Sequence, residues 1–300
     1  MQTDHALKSG GKRLNGILPQ SSLDQPLVSV VTVVFNGAKN LRATIESVLG
    51  QTYGNIEYII IDGGSTDETL EILRKYEQVI DYWLSEPDKG VYDAFNKACS
   101  LIRGEWTLFL GSGDVLHDAA VVETIALAAR EVPQDTELLY GKVSLTNDEC
   151  TVVKILNRPW ERMRGQWRGG RPMLPHHQGV FHRKTLLATE KPFDTSYRIA
   201  ADSKLIYGSI RRVSPIFCDV VVTRAPLGGV STEPRYFMST AHEIIRINHE
   251  FGHTKYGHQL WFYFKCLSKS LLYSIGGKAY SKKWIDKYRV LTGRNPKWAR

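Results

Sequence analysis

The nine residues "VSVVTVVFN" (28–36) constrain the fold more than any other stretch of the chain. β-branched residues succeed one another without alternation, the pattern of a strand buried on both faces, and such strands belong to parallel sheets covered by helices. The neighbouring segments supply those helices and further strands. "AKNLRATIESVLGQ" sets Leu41, Ile45, Val48 and Leu49 on one helical stripe. A second strand, "IEYIIIDGG" (56–64), precedes "STDETLEILRKY", where Ser65 and Glu68 have capping-box spacing and Asp67 stands as a first-turn acid. "VIDYWLSEPDKG", a helix over 91–102, the strand "EWTLFLG" and a helix over 119–130 with Asp118 as its N-cap complete an alternation that predicts an α/β domain.

Beyond Pro133 the runs turn β-like: "ELLYGKVSL", "CTVVKIL" and "QGVFHRKTLL", with the insert "RMRGQWRGGRPMLPHH" reading as a loop over a site. A helix over 202–211, the strand "PIFCDVVVTR", the loop "APLGGVSTEPR" and a helix over 239–251 come next. With 300 residues, 42% of them hydrophobic, the chain is long enough for a full core. The organisation expected is a flexible segment over 1–26, an α/β body over 27–250 and a basic amphipathic helical tail over 251–300.

Charge is divided unevenly. The net +8 conceals a tail with 11 Lys and Arg against a single acid, Asp286, so residues 1–250 are slightly acidic. The tail interleaves bulky apolar residues with lysines. Two readings stand side by side: an interfacial helix resting on anionic lipid, or a terminal helical hairpin packed on the body with a solvated basic face. Nucleic acid is not expected, because no recognition motif accompanies the charge. Four scattered cysteines without a CxxC pair point to a reducing compartment rather than a disulfide framework or a zinc site. The polar N-terminus lacks an apolar signal core and no run reaches membrane-span length, so the expected location is the cytoplasm, peripheral to the inner face of the cytoplasmic membrane.

In an open parallel sheet, ligands bind beyond the carboxyl ends of the strands. Those ends carry Asn36, then Asp62 with Gly63 and Gly64, then Glu86, Asp88 and Lys89, then Ser112, Gly113 and Asp114. Neither GxGxxG nor GxxxxGK[ST] is present, which excludes the common dinucleotide and P-loop sites.

Taken together, "VSVVTVVFNGAKNLRATIESVLGQTYGNIEYIIIDGGSTDETLEIL", "EPDKGVYDAFNKA" and "GEWTLFLGSGD" resemble the family 2 glycosyltransferases, nucleotide-diphospho-sugar enzymes of the GT-A fold. The likeness is strong over 27–120 and continues weakly through "HHQGVFHR", "RIAADSKL" and "GGVS" to about residue 250. It implies a Rossmann-like, mixed and mostly parallel sheet flanked by helices. It also implies an inverting hexosyl transfer from a nucleoside diphosphate sugar to a glycan or polyprenyl-diphosphate-linked acceptor, in the building of bacterial exopolysaccharide or lipopolysaccharide. By the resemblance, Asn36, Asp62, Gly63, Asp88, Lys89, Ser112 and Gly113 would meet the donor, and Asp202 would be the general base. Asp114 would hold Mn2+ or Mg2+, although the family's first metal-motif Asp is here Ser112. A single carboxylate suffices if water and donor phosphates complete the coordination. His176, His177, Gln178, Gly229 and Ser231 are candidate donor or acceptor contacts. Two alternatives stay open: a catalytically inactive nucleotide-sugar or carbohydrate-binding scaffold, motivated by Ser112, and a sugar nucleotidyltransferase, for which "FNGAKN" is a poor phosphate loop.

Overall fold

The computed structural model describes residues 8–291 except 23, 148, 229–232 and 254. Two compact units emerge: Met1–Met163 with Leu174–Leu227, and Arg164–Met173 with Gly228–Arg300.

The first unit is built on one ten-stranded sheet. Its strands are β1 (Lys8–Gly10), β2 (Val28–Val34), β3 (Ile56–Asp62), β4 (Tyr82–Ser85), β5 (Trp106–Gly111), β6 (Val115–Leu116), β7 (Leu138–Thr146) and β8 (Val152–Leu156), then β11 (Val180–Arg183) and β12 (Ile216–Pro226). The second unit contributes the short pair β9 (Trp167–Arg168) and β10 (Arg171–Pro172). The sheet runs β1-β4-β3-β2-β5-β11-β7-β12-β6, with β8 paired to β7. Strands β2 to β5 are mutually parallel, β12 is parallel to β7, and β11 lies antiparallel between β5 and β7. The carboxyl ends of β2, β3, β4, β5, β7 and β12 therefore share one edge, and the residues that enter β11 arrive at that same edge.

Helices α1 (Ala38–Leu49), α2 (Thr69–Lys75), α3 (Val91–Cys99), α4 (Val121–Glu131), the one-turn α5 (Trp160–Met163) and α6 (Ala201–Ile210) belong to this unit. The uninterrupted β-branched run does lie in the centre: Val28, Val30 and Val31 are wholly buried. Leu41, Ile45 and Val48 of α1 and Val121, Val122 and Ile125 of α4 join one core with Trp106, Leu108 and Leu110. Each Val, Leu or Ile so buried contributes roughly 1.5–3 kcal/mol. Leu49, placed on the α1 stripe by spacing, is exposed instead, because the helix ends there.

Three local expectations are corrected. The N-terminal segment is not free over its described part. Residues 8–10 pair antiparallel with β4, and Arg13 forms an ion pair with the buried Glu57 while its guanidinium donates to the Leu101 carbonyl at 3.0 Å. A buried carboxylate at the amino edge of the sheet requires a cation, and the leader supplies it. Ser65 and Glu68 do not form a capping box: α2 starts at Thr69, and the Ser65 hydroxyl donates to Asp62. Finally, α3 stops at Cys99 rather than continuing to 102.

In the second unit, α7 (Phe237–Glu250) and α8 (Tyr256–Leu291) pack together through Phe237, Ala241 and Cys266, with Met238, Phe262 and Tyr263 around them. The Arg/Trp-rich insert, expected as a loop over a site, divides: residues 164–173 fold as the β9-β10 pair within this unit. Asn248 of α7 donates to the Gly170 carbonyl at 2.7 Å, and a Cβ at Gly170 would strike the Phe262 ring. The path of α8 is broken at Gly277 (φ 70°, ψ −168°).

Candidate functional site: the carboxyl edge of the sheet

The backbone at this edge is held in conformations that few residues tolerate. Asn36 has φ 50°, Gly64 φ 82°, Gly90 φ 121° and Gly113 φ 103°, one after each of the four parallel strands β2 to β5. Left-handed backbone in each loop lets the chain turn sharply away from the strand at the edge where ligands of open parallel sheets bind.

The first two loops are tied to each other. The Asn36 main-chain N–H donates to the Ser65 hydroxyl at 2.7 Å, and the Asn36 side-chain oxygen accepts the Thr66 N–H at 2.8 Å. Gly37 N–H donates to Thr69 Oγ1 at 3.1 Å and Gly63 N–H to the Val34 carbonyl at 2.9 Å. Asp67 accepts the Ala38 N–H at 3.1 Å and the Thr69 N–H at 3.0 Å, so it joins the start of α1 to the start of α2. The Thr69 hydroxyl, first among these contacts, holds the Asp67 carboxyl below its ordinary range.

Asp62 is fully buried and accepts from the Ser85 hydroxyl at 2.6 Å, from the Ser65 N–H at 3.1 Å and from the Ser65 hydroxyl. Its oxygens organise the turn from within. Asp88 lies directly over Gly63, where a Cβ would collide with its carboxylate. It accepts the Gly90 N–H at 2.8 Å. Burial raises the Asp88 carboxyl above its ordinary range, and the charges of Asp93 and Asp62 act in the same direction. Lys89 is exposed on the same loop.

The loop after β5 buries a second carboxylate, with fewer partners. Gly113 N–H donates to Thr44 Oγ1 at 3.0 Å, and that hydroxyl donates to the Asp114 carbonyl at 2.9 Å, so α1 fixes the turn. The Asp114 side chain is 8% exposed, and its Oδ2 accepts the Gln178 amide at 3.0 Å. Burial pushes its carboxyl up to about 6, against the smaller opposing effects of Gln178 and the Gly111 backbone. Beside it the Ser112 hydroxyl is buried without a hydrogen-bond partner.

The sequence cluster His176, His177 and Gln178 separates into three environments in the turn before β11. His176 is exposed, and its main-chain N–H donates to Asn157 Oδ1 at 2.7 Å. His177 packs between Phe95, Phe109 and His182, with ring centroids 5.5, 5.7 and 5.5 Å away. Both His177 ring nitrogens are buried without hydrogen bonds. Burial lowers its pKa, partly offset by the nearby Asp202, so the ring is neutral at pH 7. Gln178 reaches Asp114, and its carbonyl accepts the Thr223 hydroxyl at 2.6 Å.

Asp202 sits in the first turn of α6, where its Oδ1 accepts the Tyr92 hydroxyl at 2.9 Å. Tyr92 stacks on Phe193 with centroids 6.0 Å apart. Tyr92 and Thr44 were not singled out from the sequence. The available signal for Tyr92 was a large aromatic in the first turn of a helix that begins at a polar strand end. Asp118, expected as the α4 N-cap, lies two residues before it and accepts the Ala120 N–H at 2.9 Å; the N-cap is Ala120. Gly229 and Ser231 lie outside the described residues.

No group of three or more His, Cys, Asp and Glu side chains that could hold a metal is present among the described residues. At the end of β5 the Asp114 carboxylate has one protein donor, and the Ser112 hydroxyl has none.

The mixed, mostly parallel sheet flanked by helices, with its functional loops at the carboxyl edge, is that of the GT-A fold. The chain's fold is similar to the mannosyltransferase PcManGT of Pyrobaculum calidifontis solved with GDP-Man and Mn2+ (TM-score 0.61, 15% identity, 95% of this chain and 86% of that one). It is similar also to S. aureus TarS 1–349 (TM-score 0.57, 17% identity, 86% of this chain and 78% of that one). Residues 29–189 match the model of Glycosyl transferase family 2, and the chain belongs to that family. Among its relatives, a PGL/p-HBAD biosynthesis glycosyltransferase of Mycobacterium tuberculosis is 33% identical over 185 residues, 59% of this chain and 67% of that protein. An uncharacterized glycosyltransferase of the same organism is 31% identical over 214 residues, 69% of this chain and 78% of that protein.

Proposed function

We propose that this chain transfers a hexose, with inversion, from a nucleoside diphosphate sugar to a glycan or polyprenyl-diphosphate-linked acceptor in bacterial surface polysaccharide or glycolipid synthesis. The observation that carries the reading is the contrast between two carboxylates of the first unit. Asp114 is desolvated at the end of β5 with one amide for company, while Asp202 is partly exposed at the start of α6 with the Tyr92 hydroxyl on one oxygen. Different environments assign different roles to two acids.

In this mechanism the acceptor hydroxyl attacks the anomeric carbon from the face opposite the diphosphate. The new carbon–oxygen bond forms as the bond to the diphosphate oxygen breaks, and Asp202 takes the hydroxyl proton. Asp114 and Ser112 would hold Mn2+ or Mg2+, with donor phosphates and water completing its shell; bound there, the ion supplies charge neutralisation to the departing diphosphate. A buried carboxylate without a cationic partner and a buried hydroxyl without any partner fit a group that arrives with the donor. Asp88 and Lys89 would line the nucleotide end, with Gly63 allowing Asp88 to close over the sheet. Complexes of structural neighbours with UDP-GlcNAc and with GDP-Man and Mn2+ support a donor and ion of this class, and the mycobacterial relative's role in PGL/p-HBAD biosynthesis supports a glycolipid product.

Ser112, in place of a second carboxylate, favours one other reading, a donor-binding subunit without transfer. A nucleotidyltransferase is disfavoured, since the N–H groups of Asn36 and Gly37 are taken up by Ser65 and Thr69 rather than left to cradle phosphate.

The test is a thermal-shift panel of UDP, GDP, dTDP and CDP with and without Mn2+, then transfer assays with the donor so identified. At ligand near 100 times Kd the expected stabilisation is about 2.7 kcal/mol, several degrees in Tm. Asp202→Asn should bind the donor as wild type does and lose about 10²–10⁴ in transfer rate. Undiminished transfer by that variant would remove Asp202 from the mechanism. A donor-binding wild type with no transfer to any lipid-linked glycan would favour the scaffold.

A further inference from the structure

The outward side of α8 is apolar where a solvated helix is polar. One side of its first stretch is accounted for: Phe262, Tyr263 and Cys266 pack against α7, and Gln259 is buried. Residues three, four and seven apart share a helix face. By that spacing Tyr256, Leu260, Phe264, Leu271 and Ile275 form a stripe on the side away from the seam, with Trp261 at its margin. All six are exposed, from 54% at Leu271 to 78% at Ile275. The stripe ends at the break at Gly277, beyond which Trp284 is again exposed.

The charge beside this stripe has one sign. Residues 251–285 contain no Asp or Glu, and Lys265 stands 4.8 Å over the Trp261 ring. After the break Lys283 is exposed, and the exposed Lys287 stands 5.1 Å over Trp284. Aromatic and aliphatic side chains on one face, edged by lysines that sit over its tryptophan rings, match the boundary between acyl chains and anionic headgroups. No described helix is long and apolar enough to cross a membrane.

We propose that the outward face of α8 is a docking surface for an anionic lipid bilayer, on which the helix lies in the plane of the headgroups. A second copy of the chain is a poorer occupant: it would bring two cationic faces together with no acid over 251–285 on either side to pair with them. The proposal stands on α8 alone and does not rest on the transfer reaction.

The experiment is co-sedimentation of the full chain with phosphatidylcholine vesicles, with and without about 30% phosphatidylglycerol. The expected result is at least about tenfold tighter partitioning to the anionic vesicles, weakened at about 1 M NaCl, where the Debye length falls to about 3 Å. Leu260→Ser/Phe264→Ser/Ile275→Ser should lose about tenfold or more while keeping the nucleotide-induced thermal shift of the wild type, which separates failure here from failure of the donor-site reading. Should that variant not fold, Lys283→Gln/Lys287→Gln carries the test through a reduced preference for anionic over neutral vesicles. Absence of binding to anionic vesicles, or equal binding by wild type and both variants, overturns the proposal. So does a wild-type dimer by light scattering that the triple variant disperses without any vesicle binding, which would make a second copy the occupant.

Discussion

The two edges of the central sheet both bury a carboxylate, and they treat it oppositely. At the amino edge Glu57 is fully buried and saturated: Arg13 pairs with it, the Ser29 hydroxyl donates at 2.6 Å and the Arg103 N–H at 2.8 Å. At the carboxyl edge Asp114 is almost as deeply buried, yet its carboxylate has one neutral amide and no cation. A carboxylate whose job is to hold a fold together has its charge met by the fold itself; one left short is available to something that comes and goes. Asp62 lies on the carboxyl edge but belongs with Glu57 in this respect, since two serines occupy its oxygens.

The largest effect should come from breaking the saturated edge. Arg13→Ala leaves Glu57 buried and unpaired, and urea unfolding should show a loss of about 3–5 kcal/mol. Simultaneous Glu57→Leu should recover most of it; if Arg13→Ala alone costs under about 1 kcal/mol, the amino edge is not held by this pair.

Asp114→Asn should act in the opposite direction. Burial holds the Asp114 carboxyl at about 6 in the folded chain. Between about pH 4 and 6 the native state then binds more protons than the unfolded one, so wild-type stability falls as pH rises through that window. The Asn variant should lack this slope and be more stable at pH 7.5 by about 2 kcal/mol, while losing the Mn2+-dependent part of its nucleotide thermal shift. An Asn variant that is no more stable than wild type would mean that Asp114 is not an uncompensated charge.

Tyr92→Phe sharpens the assignment of Asp202. Removing a hydroxyl that donates to the carboxylate at 2.9 Å should lower kcat by about tenfold, with donor KM unchanged. A change in stability with an unaltered kcat would reduce Tyr92 to packing on Phe193. The smallest effect is expected at Lys12, whose partner Asp81 keeps the Tyr58 N–H at 2.8 Å. Lys12→Ala should cost no more than about 1 kcal/mol in urea unfolding, because Lys12 is partly exposed.

Much of the first unit was legible because it is written in local pattern. The buried β-branched run of β2, the periodicity of α1 and the glycines and acids at four strand ends arise from side-chain spacing and backbone sterics, which a chain expresses wherever it lies. The site was legible as a list of residues and not as a set of relations. Gln178 meets Asp114 across 64 positions, and Tyr92 meets Asp202 across 110. Ser65, whose spacing with Glu68 suggested a helix cap, commits its hydroxyl to Asp62, because a buried carboxylate outcompetes a solvated helix end for a donor.

The amino-acid sequence by itself determined the alternating α/β order, the carboxyl edge and its polar loops, the family and the cationic tail, all of which depend on residue types and short spacings. Tertiary structure alone decided which carboxylates are saturated and which is left short, that His177 is a neutral ring among phenylalanines, and that the leader's Arg13 serves Glu57. The reason is physical: burial, and the partner that relieves or fails to relieve it, is a property of chain segments brought together from far apart, and no local pattern carries it.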